Sequence, residues 1–445
     1  MPDVATAVRN DARIPLTYQQ DRYHARMLRG TWPHLNVRTS FRIEGPVDLG
    51  AFGEAVRAFA LRHDALHMRL VTDDSGRSAQ RIHPLDPGEQ VVTAQRLRAS
   101  SVDQFSRYVE AVFTREIRKA WADDAQHPFT FRIFQLGEHH HAFLATFQRI
   151  VFDGRSHHLF GREVWRDYRL LRLGQPIPGT AGSFAEAATR QRASSGPQQQ
   201  ERAKALWRSR LDFLSRHRWT TPLAPAPPTG QDNVSSVLDG GATAALRESC
   251  RQGRCTPLQW IASSFVASVA EHTGRTGVGL WTTIDSRTAA DRDVVGMFSG
   301  PYPLVITDAR ADRRAVLEET RDQIINSMRY AQLDGRDIEE LMSGFADPAV
   351  PGFEDIYMNL RNFDGDYRHL AAGEPDLRVT VDAYPPRGFT LFSHAALHLV
   401  CEEFLDLIRV RIVFNSRRAG RVIAQAVLDG MMHDITAAAF ATRRR

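Results

Sequence analysis

The sequence predicts an α+β protein built from two αβ lobes of similar size. From Leu35 to Ile43, apolar and polar residues alternate, which is the pattern of a β-strand with one solvated face. Asp48 can cap the next segment, whose apolar residues recur at helical spacing. Strand-like and helix-like segments then follow one another along all 445 residues, a length at which two or three compact units are expected.

We expect residues 1–176 to form an N-terminal lobe and residues 177–445 to form a C-terminal lobe. A cluster of prolines at 220–230 is typical of an extended connector. In the second lobe, Thr256 and Pro257 are a favourable pair for the N-cap and first position of a buried helix. Both lobes are therefore predicted to mix helices with strands.

A hairpin is predicted in the first lobe, with strands at about 129–136 and 142–150. Three adjacent histidines, His139, His140 and His141, lie between these strands and raise the question of a metal site. Side chains of neighbouring residues in a strand or turn diverge, so they are poor ligands for one ion. We interpret them as a solvated turn and expect no metal.

The chain is mildly basic, with a net charge of +5 and a pI of about 9.3. A positive charge favours acidic partners such as nucleic acid or an acidic carrier protein. The arginines at 443–445 are interpreted as a solvated tail, and no motif that reads DNA or RNA accompanies them. We therefore expect no nucleic-acid partner.

Cysteine usage and hydropathy indicate the compartment. The three cysteines, Cys250, Cys255 and Cys401, are odd in number and include no C-x-x-C pair. This argues against a disulfide framework or a thiolate metal site and is typical of a reducing cytosol. The N-terminus has no apolar signal region, and no apolar run reaches 18 residues. A cytoplasmic protein without a membrane partner is predicted.

Six stretches of the sequence resemble motifs of the condensation domains of nonribosomal peptide synthetases. They follow one another in the order, and at the separations, that are found in that family. These domains belong to the chloramphenicol-acetyltransferase-like superfamily. One such motif would be weak evidence, but six in register extend over nearly the whole chain. They are residues 14–24 (IPLTYQQDRYH), 62–70 (RHDALHMRL), 147–156 (FQRIVFDGRS), 183–192 (SFAEAATRQR), 294–306 (VVGMFSGPYPLVI) and 356–362 (IYMNLRN).

The resemblance implies two lobes arranged as a V, with a tunnel along their interface. It also implies that a carrier protein presents an acyl group on its phosphopantetheine arm and that an amine or alcohol acceptor receives it. No cofactor bound by this chain itself is implied. Because the sequence starts at its own Met and contains no adenylation or carrier domain, we expect a stand-alone protein that acts in trans or supplies a partner surface.

The family's His-His-x-x-x-Asp-Gly motif is altered here, because Gln148 and Arg149 stand where the two histidines are expected. A guanidinium has no acceptor and a pKa above about 12, so Arg149 is a very poor base. It could instead stabilise the oxyanion that forms when a thioester is attacked. The alternative is a salt bridge that fills the middle of the tunnel. Gln148 is expected to be a buried amide hydrogen-bonded to backbone.

Asp153 and Gly154 retain the second part of the motif. In the family this aspartate pairs with an arginine from the second lobe, and Arg287 lies in the matching segment, so the resemblance implies an Asp153–Arg287 ion pair. This pair would hold the loop in place and would not contact substrate. Gly154 is expected to permit a sharp turn from strand to helix.

The neighbouring residues also depart from the family pattern. Arg155 stands where tryptophan is common, and Ser299 and Gly300 replace the usual Val-Asn, so we expect these three residues to line a tunnel whose chemistry is remodelled or which is closed. His157, on the first turn of the next helix, is a candidate substitute base. The alternative is that one residue of the pair His157 and His158 faces solvent while the other packs.

Three functions remain open from the sequence. The first is an acyltransferase of the condensation type with a non-histidine site, in which proximity and orientation supply much of the rate. The second is a catalytically silent domain that binds carrier proteins or recruits tailoring enzymes, as condensation-like domains with broken motifs do. The third is acylation of a free small molecule.

Overall fold

The protein is described by a computed structural model. The residues that it describes are 13–28, 36–72, 77–86, 88–121, 127–219, 231–345, 355–363, 370–371, 373–382 and 395–441. The predicted connector at 220–230 and the arginines at 443–445 lie outside these ranges.

Helices and strands are mixed along the described residues. The strands are β1 (Ile14–Pro15), β2 (Val37–Glu44), β3 (Met68–Thr72), β4 (Ser78–Ile82), β5 (Val92–Arg96), β6 (Phe129–Leu136), β7 (His140–Phe147), β8 (Gln231–Leu238), β9 (Val278–Asp285), β10 (Ser299–Ile306), β11 (Ile356–Asn362), β12 (Arg378–Val381), β13 (Leu397–Glu403) and β14 (Ile408–Asn415). The helices are α1 (Tyr18–Leu28), α2 (Leu49–Arg62), α3 (Val102–Glu116), α4 (Gly154–Arg172), α5 (Phe184–Ala193), α6 (Pro197–Arg216), α7 (Gly240–Gln252), α8 (Pro257–Thr273), α9 (Arg313–Tyr330), α10 (Gly335–Gly344) and α11 (Arg421–Ala441).

The chain divides into two compact units. The first unit contains residues 1–196, 287–299 and 367–389, and the second unit contains the rest. The boundary after residue 196 lies beyond the expected one at 176, because Asp64 of the first unit caps the N-terminus of α5. Its carboxylate accepts hydrogen bonds from the Ser183 hydroxyl and from two backbone N–H groups of α5.

The first unit contains a five-stranded sheet in the order β12-β2-β7-β6-β5 and a three-stranded sheet in the order β1-β4-β3. Helix α4 packs on the larger sheet through aromatic residues. Phe160 of α4 stacks with Phe143 of β7 at 5.9 Å between ring centroids, and Trp165 packs edge-on to Phe41 of β2. This aromatic layer fixes the position at which β7 ends and α4 begins.

The second unit contains a six-stranded sheet in the order β10-β9-β11-β13-β14-β8. Its central pair, β11 and β13, is parallel, and β13 pairs antiparallel with β14. Helix α8 packs against this sheet with α9 and α11 beside it. Thr256 caps α8 and Pro257 is its first residue, as predicted, and Gly274 ends it in the left-handed conformation.

The histidine turn differs in part from its prediction. His139 is exposed in the turn, but His141 lies on β7, opposite Ile43, and is buried. Burial, followed by the charge of His140, lowers the pKa of His141. The prediction of three solvated histidines is therefore wrong for His141. Among the described residues, no group of three metal-ligating side chains is found.

None of the described helices combines the length and the apolar character needed to cross a membrane.

Candidate active site at the end of strand β7

The altered motif forms a short turn between β7 and α4. Gln148 follows β7 directly, and its backbone N–H donates to the Pro128 carbonyl at 2.7 Å. Arg149 to Val151 form one turn of 3₁₀-helix, which Val151 closes by donating to the Gln148 carbonyl. The Gln148 side chain is buried, as expected.

A buried amide network holds this turn from the side of α1. The Gln20 side-chain N–H donates to the Ile150 carbonyl at 2.9 Å and to the Gln80 side chain at 2.9 Å. The Gln20 carbonyl oxygen in turn accepts from the backbone N–H of Thr17 at 2.9 Å. Because buried amides with satisfied partners are rigid, the backbone that carries Arg149 is fixed on both sides.

Arg149 is partly exposed, whereas its neighbours in the turn are buried. Its charge reaches Tyr23, a buried residue of α1. Burial raises the pKa of the Tyr23 phenol, and the charge of Arg149 offsets part of this rise. The turn therefore presents a cation beside a neutral phenol.

The predicted Asp153–Arg287 ion pair is present. Two Arg287 nitrogens donate to the two carboxylate oxygens of Asp153 at 2.7 and 3.0 Å, and both side chains are at most 4% exposed. Asp153 is also the N-cap of α4, where it accepts from the Ser156 N–H at 2.9 Å, and it accepts from the Phe298 N–H at 3.0 Å. Each carboxylate oxygen thus has more than one donor.

These donors hold the carboxylate in its charged form. Burial alone raises the pKa of Asp153, but the charge of Arg287 and the hydrogen bonds from Arg287, Ser156 and Phe298 lower it below its ordinary value. Arg287 is satisfied as well, since it donates to the carbonyls of Val294 and Gly296 and lies over the Phe298 ring.

The prediction that Arg287 comes from the second lobe is corrected by the structure. Residues 287–299 belong to the first unit, because hydrogen bonds tie this segment to α4 and to the residue before α1. Ser156 donates its hydroxyl to the Gly296 carbonyl and accepts from the Gly296 N–H, both at 2.9 Å. Next along the segment, the Thr17 hydroxyl donates to the Met297 carbonyl at 2.8 Å.

Arg155 also contacts this segment. Its guanidinium donates to the Arg292 carbonyl at 3.3 Å and lies 3.7 Å from the Asp293 carboxylate, which Arg162 binds at 3.0 Å. The side chain is 15% exposed. Ser299 and Gly300 follow at the start of β10 and are partly exposed. The role of these residues as tunnel lining stays a prediction.

The reason expected for Gly154 is wrong. Gly154 is the first residue of α4, its φ is not positive, and a Cβ added to it would have no atom within 4 Å. Neither the backbone nor its neighbours require glycine there. The turn is made by the 3₁₀ residues Arg149–Val151, and Asp153 leads into α4 with extended backbone at φ −127° and ψ −171°.

His157 and His158 are both buried, so the expectation that one faces solvent is wrong. The His157 Nε2 atom lies 3.8 Å from a carboxylate oxygen of Asp382, which follows β12. This distance is too long for a hydrogen bond. The role of His157 as a substitute base stays a prediction.

Sequence reasoning did not assign a role to the Arg-His-Asp part of residues 62–70. Arg62 donates to Glu163 at 2.7 Å and to Asp167 at 2.8 Å, and His63 contacts Glu163 at 3.1 Å. All four side chains are buried. This cluster ties the end of α2 to the middle of α4. The available signal was a run of three ionisable residues, Arg62, His63 and Asp64, directly at the end of the amphipathic segment that forms α2.

Comparison with known proteins identifies the family. The family described as Condensation domain matches residues 10–366, which is most of the chain. This chain belongs to the condensation domain family. Its relatives place the family in nonribosomal peptide and mixed polyketide–peptide biosynthesis.

Two curated relatives are large synthetases. A linear gramicidin synthase of Brevibacillus parabrevis is 29% identical over 217 residues, which cover 46% of this chain and 3% of the relative. A surfactin synthase of Bacillus subtilis (strain 168) is 24% identical over 306 residues, 67% of this chain and 8% of the relative. The chain thus spans less than a tenth of the length of either relative.

Solved structures agree on the chloramphenicol-acetyltransferase-like fold. The condensation domain of Monacolin K polyketide synthase gives a TM-score of 0.72 at 17% identity, covering 96% of this chain and 98% of that one. The first condensation domain of the calcium-dependent antibiotic synthetase, bound to a substrate analogue, gives a TM-score of 0.71 at 19% identity. The match covers 96% of this chain and 97% of that one. The X-domain from teicoplanin biosynthesis gives a TM-score of 0.69 at 21% identity, and the match covers 97% of this chain and 96% of that one.

Proposed function

We propose that this condensation domain transfers an acyl group from the phosphopantetheine arm of a carrier protein to an amine or alcohol acceptor. The observation that carries the proposal is the position of Arg149. A cation stands on a turn fixed by buried hydrogen bonds, next to the intact Asp153–Arg287 frame, at the place of the family's second histidine. A backbone held in this way suits a side chain, here that of Arg149, that must keep one orientation.

The proposed chemistry needs no base from the protein when the acceptor amine is neutral. The amine nitrogen attacks the thioester carbonyl, whose oxygen becomes negative. The C–S bond then breaks, the arm leaves as a thiolate, and the proton lost by the nitrogen reaches the thiolate through solvent. Arg149 donates to the negative oxygen and keeps its own protons throughout.

The test uses carrier proteins loaded with a panel of acyl-phosphopantetheine arms. Amino acid thioesters of N-acetylcysteamine serve as acceptors, and amide products are measured by mass spectrometry. Arg149→Ala is expected to lower kcat/KM by about 10²–10³-fold, the usual effect of removing one donor to an oxyanion. Arg149→Lys keeps the charge and should retain part of the rate. Arg107→Ala, on the exposed face of α3, is the control and should have no effect.

A second candidate is a silent domain that binds carrier proteins or recruits another enzyme. It is favoured by the loss of both motif histidines and by the similarity to the X-domain from teicoplanin biosynthesis, which has also been solved in complex with OxyB. If loaded carriers bind but no donor–acceptor pair gives product, the acyltransferase proposal is wrong and this candidate stands.

A further inference from the structure

Two of the three cysteines lie against each other in the second unit. Cys250 is in the last turn of α7 and is buried, whereas Cys255 precedes the N-cap of α8 and is partly exposed. Their sequence spacing is not that of a C-x-x-C pair. The contact is produced by the way in which α7 ends.

Helix α7 ends in a Schellman motif. Arg254 adopts the left-handed conformation at φ 51°. The Cys255 N–H donates to the Cys250 carbonyl at 3.0 Å, and the Arg254 N–H donates to the Arg251 carbonyl at 3.3 Å. This motif brings the side chain after the left-handed residue back onto the last helical turn. Accordingly, the side chain of Cys255 returns to the end of α7, where the two thiols lie close enough to shift each other's pKa.

The geometry is compatible with a covalent bond between the two sulfurs. A disulfide requires Cα atoms about 4.4–6.8 Å apart, and a direct backbone hydrogen bond brings two residues to such a separation. The surroundings also keep the Cys255 sulfur over α7. A Cβ on Gly253 would lie 3.7 Å from the Cys255 sulfur and 3.6 Å from the Trp260 ring.

The two thiols differ in reactivity. The interaction with the Cys250 thiol lowers the pKa of Cys255, and this effect together with the charges of Arg321 and Arg313 exceeds the opposing effect of burial. The same interaction and burial raise the pKa of Cys250. Cys255 is thus the more nucleophilic and more accessible thiol, and Cys250 is placed to react second.

We propose that Cys250 and Cys255 form a thiol–disulfide exchange site that reacts with small disulfides such as oxidised glutathione. The Cys255 thiolate attacks one glutathione sulfur, the S–S bond breaks, and one glutathione leaves as a thiolate. Cys250 then loses its proton and attacks the Cys255 sulfur, which releases the second glutathione. The two cysteines are oxidised to one disulfide, and oxidised glutathione is reduced to two thiols.

The disulfide would join the end of α7 to the beginning of α8. Both helices pack against α11 in the second unit, and neither carries a residue of the altered motif. The proposal is therefore independent of the proposed acyl transfer and can be tested without an activity assay.

The experiment incubates the intact protein with mixtures of reduced and oxidised glutathione. Free thiols are trapped with iodoacetamide, and the peptides are identified by mass spectrometry. The wild type should lose two hydrogen atoms through a Cys250–Cys255 disulfide. Cys250→Ala should instead hold one glutathione on Cys255, because the second attack is removed. Cys401→Ala, which changes the third and buried cysteine, should behave as the wild type does.

Two results would overturn the proposal. One is a wild-type protein that keeps glutathione on Cys255 without forming the internal disulfide. The other is a protein in which Cys255 stays reduced at glutathione potentials that oxidise a reference dithiol protein. Because Cys255→Ser changes a partly exposed position, it provides a folded variant in which Cys250 should not react.

Discussion

The Phe184 ring occupies the space beside Gly296 in which any other residue would place its Cβ. That atom would lie 2.1 Å from the ring, and Gly296 has a φ of +157°. Phe184 begins α5, whose N-terminus is held by Asp64, and it packs edge-on to Phe298. The Arg-His-Asp segment is thereby linked to the segment that carries Arg287.

Gly296→Ala should consequently destabilise the first unit. Either the Phe184 ring or the 287–299 segment must move, which is a case of overpacking and should cost about 3 kcal/mol or more. Chemical denaturation would measure the loss. Gly179→Ala is the matched control, since its added Cβ would meet no atom within 4 Å. Equal stabilities of the two variants would contradict the role given to Gly296.

The Asp153–Arg287 pair should behave as a buried and strongly coupled pair. Removing one partner leaves an uncompensated charge, so Arg287→Ala should cost about 3–5 kcal/mol. Asp153→Asn should cost a similar amount, and the double variant should cost less than the sum. A double-mutant cycle measures this coupling. Arg314 and Glu318, an exposed pair on α9, provide the comparison and should show little coupling.

Glu163 should make the stability of the folded state fall as the pH is lowered. Burial raises the pKa of Glu163, but the contacts with His63 and Arg62 lower it to about 2. Because the folded pKa lies below the ordinary one, the stabilisation is complete above about pH 4.5 and is lost as the pH falls towards 2. Its size is on the order of 3 kcal/mol.

Urea denaturation at several pH values would check this prediction. Glu163→Gln should lower stability at pH 7 and flatten the decline between about pH 4.5 and 2. Glu186→Gln on the exposed face of α5 is the control, and its profile should follow that of the wild type. A decline of unchanged steepness in Glu163→Gln would exclude Glu163 as its source.

Gly154→Ala should leave the fold intact. Gly154 has an ordinary φ, and the position of its Cβ is open, so alanine should be neutral or stabilising by about 0.4–1 kcal/mol. Thermal unfolding would measure the change. A clear loss of stability would mean that glycine is required there for the fold. If Gly154→Ala keeps its stability but loses acyl transfer, substrate occupies the open space beside residue 154.

The sequence predicted the parts of this site that depend on local patterns. Thr256 caps α8 as predicted, and the pairing of Asp153 with Arg287 followed from the resemblance to condensation domains, whereas the N-cap role of Asp153 was not predicted. The burial of His141 and His158 was not predictable, because it depends on where the strand begins and on which face of α4 packs. The placement of residues 287–299 in the first unit depends on hydrogen bonds between segments over 130 residues apart.

Arg149→His restores the family's residue on an otherwise intact turn. If Arg149 acts only through its charge, the wild-type rate should show no protein titration between pH 5 and 9, because guanidinium stays protonated. The variant places an imidazole there, with an ordinary pKa of about 6.5, and a base must be neutral to accept a proton. The ratio of variant to wild-type rate should therefore rise as the pH passes from about 5.5 to 7.5. The same acceptor must be used for both proteins, so that the titration of its amine cancels in the ratio. A ratio that does not change with pH would show that residue 149 does not act on the reacting atoms.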